Sequence, residues 1–218
     1  MDIIGHRGCK AHFPENTVAA IRGCAPHVDM VEVDIRRCRS GEIVVFHDDE
    51  LDELTDGSGP VCDHSYEELS SLRVEGSDET IPLLSDVLDT LPEGTGINIE
   101  LKHAGMHNDV APLIRETGHE VLVSSFDTSA IEPFRREPVP TALLFIENFV
   151  SNLDTATALG CEYVHPLYRI ADAESIARAH ERGLSVNAWT VPTKAAVHRL
   201  RDGGVDGVIV DSWTIIPE

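Results

Sequence analysis

Lysine is almost missing from this 218-residue chain: Lys10, Lys102 and Lys194 are the only three, and arginine supplies the rest of the 17 basic side chains. Against them stand 38 Asp and Glu, for a formal net charge of −21. That balance disfavours a nucleic-acid partner, because binding phosphate backbones takes a basic face. Aromatic residues make up 5 %, too few for an interfacial belt, so stable membrane association is not expected. No run of about 18 apolar residues occurs, so no segment is expected to span a bilayer. CxxC pairs are also missing. The five cysteines (Cys9, Cys24, Cys38, Cys62 and Cys161) form no regular ladder, and Met1–His6 reads as a first strand without a charged leader. These features predict reduced thiols in a cytoplasmic protein, with Cys9 a small packing residue. A dense acidic surface with little lysine is a solubility strategy for concentrated salt, which predicts a salt-accumulating source.

What is present is a repeated alternation of short apolar runs and helical patterns. The candidate strands are Ile3–Gly5, Met30–Ile35, Ile97–Leu101, Val121–Ser125, Ala142–Ile146, Tyr163–His165, Ser185–Thr190 and Gly207–Asp211. Helical patterns separate them at Thr17–Gly23, Leu84–Leu91, Asp109–Thr117, Ser129–Arg136, Leu153–Leu159, Ala173–Glu181 and Thr193–Arg201. Eight buried strands joined by helices predict a closed parallel (β/α)8 barrel, a TIM barrel, formed as one domain over residues 1–218. An open doubly wound sheet is the rival. It usually carries a glycine-rich loop after its first strand, and Gly5-His6-Arg7-Gly8 is not G-x-G-x-x-G. One stretch breaks the alternation: Ser40-Gly41-Glu42 reads as a tight turn into Val44-Val45-Phe46-His47-Asp48. A hairpin extension of the second strand is expected there, followed by a small insertion over roughly residues 48–82.

In such a barrel the reactive side chains gather at the C-terminal ends of the strands. His6-Arg7 ends the first strand, and Glu32-x-Asp34 puts two carboxylates on one side of the second. His47-Asp48 ends the hairpin, and Glu100-x-Lys102 repeats the period of two. Arginine matches phosphate with two parallel hydrogen bonds, so His6-Arg7 reads as proton-transfer chemistry beside a phosphate. The carboxylates Glu32, Asp34 and Glu100 repel one another unless a cation or protons intervene, the rival reading being that they pair with Arg or Lys across the barrel. With no thiolate beside them they favour a hard ion, Mg²⁺ or Ca²⁺. His6 and His47 come from different loops to the same face, as two-histidine acid–base catalysis requires. His165 reads either as a substrate contact or as a hydrogen-bonded packing residue. Asp211 stands at the end of the eighth strand.

These motifs resemble the glycerophosphodiester phosphodiesterase family over essentially the whole chain. His6-Arg7-Gly8 with Pro14-Glu15-Asn16-Thr17 resembles its opening motif, Val31-Glu32-Val33-Asp34 its metal-binding strand and Val44–Asp48 its second histidine motif. Ile81-Pro82-Leu83-Leu84 resembles its return into the barrel, Asn98–Lys102 its third-strand motif, Ser125-Phe126 its fourth and Trp189-Thr190 its seventh. Val210-Asp211-Ser212-Trp213 departs from the family's usual Thr-Asp-aromatic-proline ending. The resemblance implies hydrolysis of small glycerophosphodiesters to glycerol 3-phosphate and an alcohol. In it His6 and His47 act as acid and base, and Glu32, Asp34 and Glu100 bind a divalent cation. Arg7 and Lys102 hold the phosphate, and Phe126 and Trp189 wall the alcohol pocket. Two other functions fit the same barrel. One is a phospholipase of the C or D type at a membrane, and the other is a non-catalytic phosphodiester-binding protein. The sequence carries no signal for oligomeric state.

Overall fold

A computed structural model of the chain describes residues 1–217. Eight parallel strands close on themselves: β1 (Asp2–Gly5), β2 (Met30–Arg37), β4 (Gly96–Leu101), β5 (Val121–Ser125), β6 (Thr141–Phe145), β7 (Tyr163–Pro166), β8 (Ser185–Ala188) and β9 (Gly207–Val210). Each parallel strand pairs with the next, and β1 closes the ring by pairing with both β2 and β9. The expected TIM barrel is therefore the fold. The hairpin is present too, as β3 (Ile43–Val45) runs antiparallel to the end of β2 with Ile35 opposite Val45.

Helices α1 (Val18–Cys24), α3 (Leu84–Thr90), α4 (His107–Glu116), α5 (Thr128–Ile131), α6 (Phe149–Leu159), α7 (Ala173–His180) and α8 (Lys194–Asp202) lie in the crossovers, with α2 (Tyr66–Leu69) inside the insertion. Their starts follow local chemistry. The side chains of Thr17, Asp172 and Thr193 accept from the backbone N–H three residues on. The expected helix Ser129–Arg136 is shorter than the pattern suggested. It turns into a 3-10 segment at Glu132–Arg136, where Pro133 cannot supply an N–H. A 3-10 turn at Trp213–Ile215 follows β9. No helix among the described residues is long and apolar enough to cross a membrane.

The strands alternate between two environments. Val31, Val33, Ile35, Ile97, Ile99, Val121 and Val123 face outward and pack under the helices. The intervening residues fill the lumen in layers of four from alternate strands, neighbouring strands being offset by one residue in height. From the middle upward these layers are Ile4, Asn98, Ala142 and Asn187, then Glu32, Ser124, His165 and Ile209, then His6, Glu100, Leu144 and Trp189. The uppermost faces the C-terminal mouth. The insertion has its own small core of Leu51, Val61, Leu69, Val74 and Ile81, packed on Val44 and Phe46.

One expectation is corrected. Cys9 and Cys24 are joined by a disulfide, whereas Cys38, Cys62 and Cys161 are free. The pair meets because Arg7, Gly8 and Cys9 all adopt left-handed backbone (φ 50°, 74° and 61°), which turns the loop after β1 back onto α1. Gly5 leaves the room for both sulfurs: a Cβ there would lie 2.2 Å from Cys24 Sγ and 2.7 Å from Cys9 Sγ. A bridge closing a loop of this length stabilises by about 3 kcal/mol through the unfolded chain. The Cys9→Ser/Cys24→Ser variant should accordingly lose about that much, read as a lower urea midpoint that reductant does not shift further.

Candidate active site

The C-terminal mouth collects His6, Arg7, Glu32, Asp34, His47, Glu100 and Lys102, which lie far apart in the chain. Glu32 and Asp34 project from β2 at period two, Glu100 comes from β4, and register places Glu100 opposite Asp34. One oxygen from each of Glu32, Asp34 and Glu100 lies within 4.8 Å of the others, and all three residues are buried. Lys102 Nζ donates to Glu100 Oε1 at 2.5 Å and to Asp34 Oδ1 at 3.1 Å. The Arg7 backbone N–H donates to Glu32 Oε2 at 2.7 Å, its Nη1 to Glu15 Oε1 at 2.7 Å, and its Nε lies 3.3 Å from Asp34 Oδ2. The left-handed conformation of Arg7 is what lets its amide and its guanidinium both face the carboxylates.

These charges set each group's protonation. Burial pushes Asp34 up, but Lys102 and Arg7 outweigh it and hold the carboxyl well below the usual range. Burial, reinforced by the charges of Asp34 and Glu100, pushes Glu32 well above its ordinary value. Glu100 is raised by burial and by Asp34, against the pull of Lys102, to about 7. Glu32 Oε1 has no hydrogen-bond partner although it is fully buried. Three crowded carboxylates, one with an orphaned oxygen and two reluctant to ionise, fit a hard divalent cation, and all the donors are oxygen.

Each histidine has a carboxylate at its back. His6 Nδ1 lies 2.7 Å from Asp211 Oδ1, and His47 Nδ1 lies 2.5 Å from Asp48 Oδ1. With Nδ1–H donated in this way, Nε2 of each ring is left for a substrate. Asp211 lies below the usual carboxylate range: burial raises it, but the hydrogen bond and charge of His6 bring it down. His47 is lowered by burial, with Lys102 and Arg7 adding to the effect and Asp34 opposing it.

Several supporting residues were not legible as functional in the sequence. Asn16 clamps Asp34, donating from Nδ2 to Oδ2 at 2.9 Å and accepting from the Asp34 N–H at 3.2 Å. The Arg36 guanidinium donates twice to the His47 carbonyl, at 2.9 and 2.6 Å, and also pairs with Asp49. Trp213 is sandwiched between His12 and His27 (ring centroids 3.9 and 4.1 Å), which ties the segment bearing Asp211 to the loop after β1. Asn16 stood in the opening motif and Asp211 at a strand end, but neither contact was readable from the sequence, and Arg36 gave no signal.

Phe126 stands exposed at the mouth with its ring edge-on to Trp189, 5.3 Å between centroids. Trp189 Nε1 donates to the His165 carbonyl at 2.7 Å. A narrow cavity opens between His6, Glu32, Asn98, Glu100, Leu144, Trp189 and Ile209. His165 resolves to the packing alternative, being fully buried one layer below His6 and Glu100.

Burial alone pushes the His165 imidazole down to about 3. Folding holds this ring neutral while the unfolded chain binds a proton below about 6.5. The contribution to stability is therefore intact above that value and lost as pH falls toward about 3, at up to about 1.4 kcal/mol per pH unit. His165→Leu should flatten that slope in urea midpoints measured from neutral to acid pH.

A sequence model described as the glycerophosphoryl diester phosphodiesterase family matches residues 6–214, a span that holds every residue of this site. The chain belongs to this family. YhdW of Bacillus subtilis is 32 % identical over 229 residues, covering 97 % of this chain and 94 % of the relative. The glycerophosphodiester phosphodiesterase of Caldanaerobacter subterraneus subsp. tengcongensis is 29 % identical, covering 96 % and 93 %. Among solved structures, an Oleispira antarctica phosphodiesterase in complex with the product sn-glycerol-3-phosphate superposes with a TM-score of 0.91. It shares 25 % identity over 99 % of this chain and 95 % of its own. In this phosphodiesterase-family chain the carboxylates behind the two histidines, Asp48 and Asp211, come from the end of the hairpin and from the end of the last strand.

Proposed function

We propose that this family member hydrolyses glycerophosphodiesters to glycerol 3-phosphate and an alcohol, by two-histidine acid–base catalysis with a divalent cation. The observation that carries the reading is the pair of carboxylate-backed histidines, His6–Asp211 and His47–Asp48, at the mouth that holds the buried triad. Glu32, Asp34 and Glu100 would hold Mg²⁺ or Ca²⁺, which when bound would neutralise phosphodiester oxygen charge.

Arg7 and Lys102 supply fixed positive charge beside the phosphate and stabilise what accumulates on its oxygens in the transition state. His47 acts as the base that starts the cycle, burial having lowered its proton affinity so that Nε2 is free to accept. It takes the proton from the glycerol hydroxyl next to the ester. That oxygen attacks phosphorus, and the P–O bond to the alcohol breaks. His6, oriented by Asp211, gives its proton to the departing oxygen. With the roles reversed, His6 deprotonates water, which opens the cyclic phosphate, and His47 returns its proton to the glycerol oxygen. Phe126 and Trp189 give the leaving alcohol an apolar wall.

The deciding experiment measures glycerol 3-phosphate release from glycerophosphocholine with Mg²⁺, with Ca²⁺ and with EDTA. Release with one cation and none with EDTA is the expected result. Folded protein that released nothing from glycerophosphocholine, glycerophosphoethanolamine or glycerophosphoglycerol in any condition would overturn the reading. The charge of −21 adds a condition: activity and melting temperature should both rise from low to molar salt, as screening relieves self-repulsion.

A further inference from the structure

The lumen beneath the carboxylate triad is built unlike an ordinary barrel core. Branched apolar side chains usually fill these layers. Here the two layers under the mouth contain Asn98, Asn187, Glu32, Ser124 and His165, none more than 3 % exposed. Each carries a buried polar atom without a protein partner: Asn98 Oδ1, Asn187 Oδ1, Glu32 Oε1, Ser124 Oγ and His165 Nδ1. Leaving five such groups unpaired would offset most of the stability of a domain this size, so they have partners.

Their chemistry selects the partner. The Asn187 amide nitrogen lies 3.2 Å from His165 Nε2, so that ring nitrogen accepts and the ring's proton sits on the unpaired Nδ1. The unmatched set is thus three acceptor oxygens, one N–H donor and one hydroxyl that can do either. A cation would be repelled by the His165 N–H, and an anion by Glu32 and the amide oxygens. Only a ligand that both donates and accepts serves all five, and water does so at this size. Gly207 on β9 leaves space for the Asn187 amide, since a Cβ there would meet Asn187 Oδ1 at 2.4 Å. The upper part of the set meets the catalytic mouth, since Asn98 and Glu32 line the cavity that His6 and Glu100 share, whereas Asn187 lines the cavity at the opposite end of the barrel.

We propose that buried water held among Asn98, Ser124, His165 and Asn187 bridges to Glu32 Oε1 and fixes that carboxylate for the cation. The four polar residues are then positioning residues for the metal site, acting through water. The inference rests on the reading that the triad binds a divalent cation.

Two measurements test it together. The first is a high-resolution crystal structure of the wild-type protein, in which ordered waters should lie within hydrogen-bonding distance of these atoms. A dry lumen would overturn the proposal. The second is calorimetric titration of Mg²⁺ or Ca²⁺ into metal-free wild type and into Ser124→Ala/His165→Leu. The double variant should bind about 10- to 100-fold more weakly, the cost usual for outer partners of metal ligands. Its metal-free melting temperature should change little, because the loss of two buried polar groups offsets the acceptor that the Asn187 amide loses with the His165 ring. Equal affinity in both proteins, or a lower melting temperature with unchanged affinity, would mean a merely structural polar core. If the double variant does not fold, Ser124→Ala alone gives the same comparison. Wild type that bound neither cation would overturn the metal reading and the positioning role with it, whereas variant-insensitive binding would overturn only the latter.

Discussion

Replacing His47 by alanine is expected to lower kcat for glycerophosphodiester hydrolysis by about 10²- to 10⁴-fold, with little change in KM or melting temperature. In the proposed mechanism His47 contributes a proton-transfer group and no core packing, so its loss falls on the transition state alone. His6→Ala should cost a similar factor, and the double variant far less than the product of the two, because the histidines act in one cycle. Asp211→Asn gives the intermediate case. It keeps the contact with His6 Nδ1 but removes the charge that sets the ring's tautomer. Stopped assays over a range of pH separate these outcomes. Near-normal turnover in folded His6→Ala and His47→Ala would refute the acid–base assignment.

The second large effect is expected at the carboxylates. In wild-type protein, a cation supplied at about 100 times its Kd should raise stability by about 2.7 kcal/mol, since it binds the native state alone. Glu32→Gln should abolish that response and lower turnover more than about 100-fold, as loss of a direct ligand exceeds loss of an outer one. Without metal the sign reverses. Burial and two neighbouring charges raise Glu32 well above its ordinary value, so its ionisation opposes folding. That penalty is absent at pH below the unfolded value of about 4.5 and grows as pH rises past it. Metal-free Glu32→Gln should therefore match wild type near pH 4 and exceed it near pH 7. Melting curves with and without cation at the two pH values check both halves. A metal-free variant less stable than wild type at pH 7 would mean that Glu32 holds the fold together by itself.

Both results depend on the same architecture. The barrel is a device for bringing short polar segments to one end, and each contributes what its strand parity allows. Glu32 and Asp34 share a face because a strand repeats every two residues, and Glu100 joins them because β4 is the parallel neighbour of β2. Lys102 lies just past the end of β4 and reaches back to two of the three carboxylates. The arrangement opposes charge with charge in a buried place. That is costly in the empty protein and suited to a cation beside a phosphodiester.

The sequence by itself determined the barrel strands, most of the crossover helices, the closed barrel and the family. Period-two runs such as Met30–Ile35 and Ile97–Leu101, and short polar motifs such as His6-Arg7-Gly8, are local signals that survive without knowledge of neighbours. Tertiary structure alone decided which groups meet. Asp211 reaches His6 across 205 residues of chain because β9 pairs with β1, and no spacing rule in the sequence singles out those two side chains as partners. The Cys9–Cys24 bridge depended on three successive left-handed residues, a backbone choice that residue types at those positions do not announce. Arg36 at the His47 carbonyl and Asn16 on Asp34 likewise follow from packing. The polar layers of the lumen followed from the offset between strands. Asn98, Ser124, His165 and Asn187 are unremarkable one by one, and barrel closure places them beneath the same carboxylates.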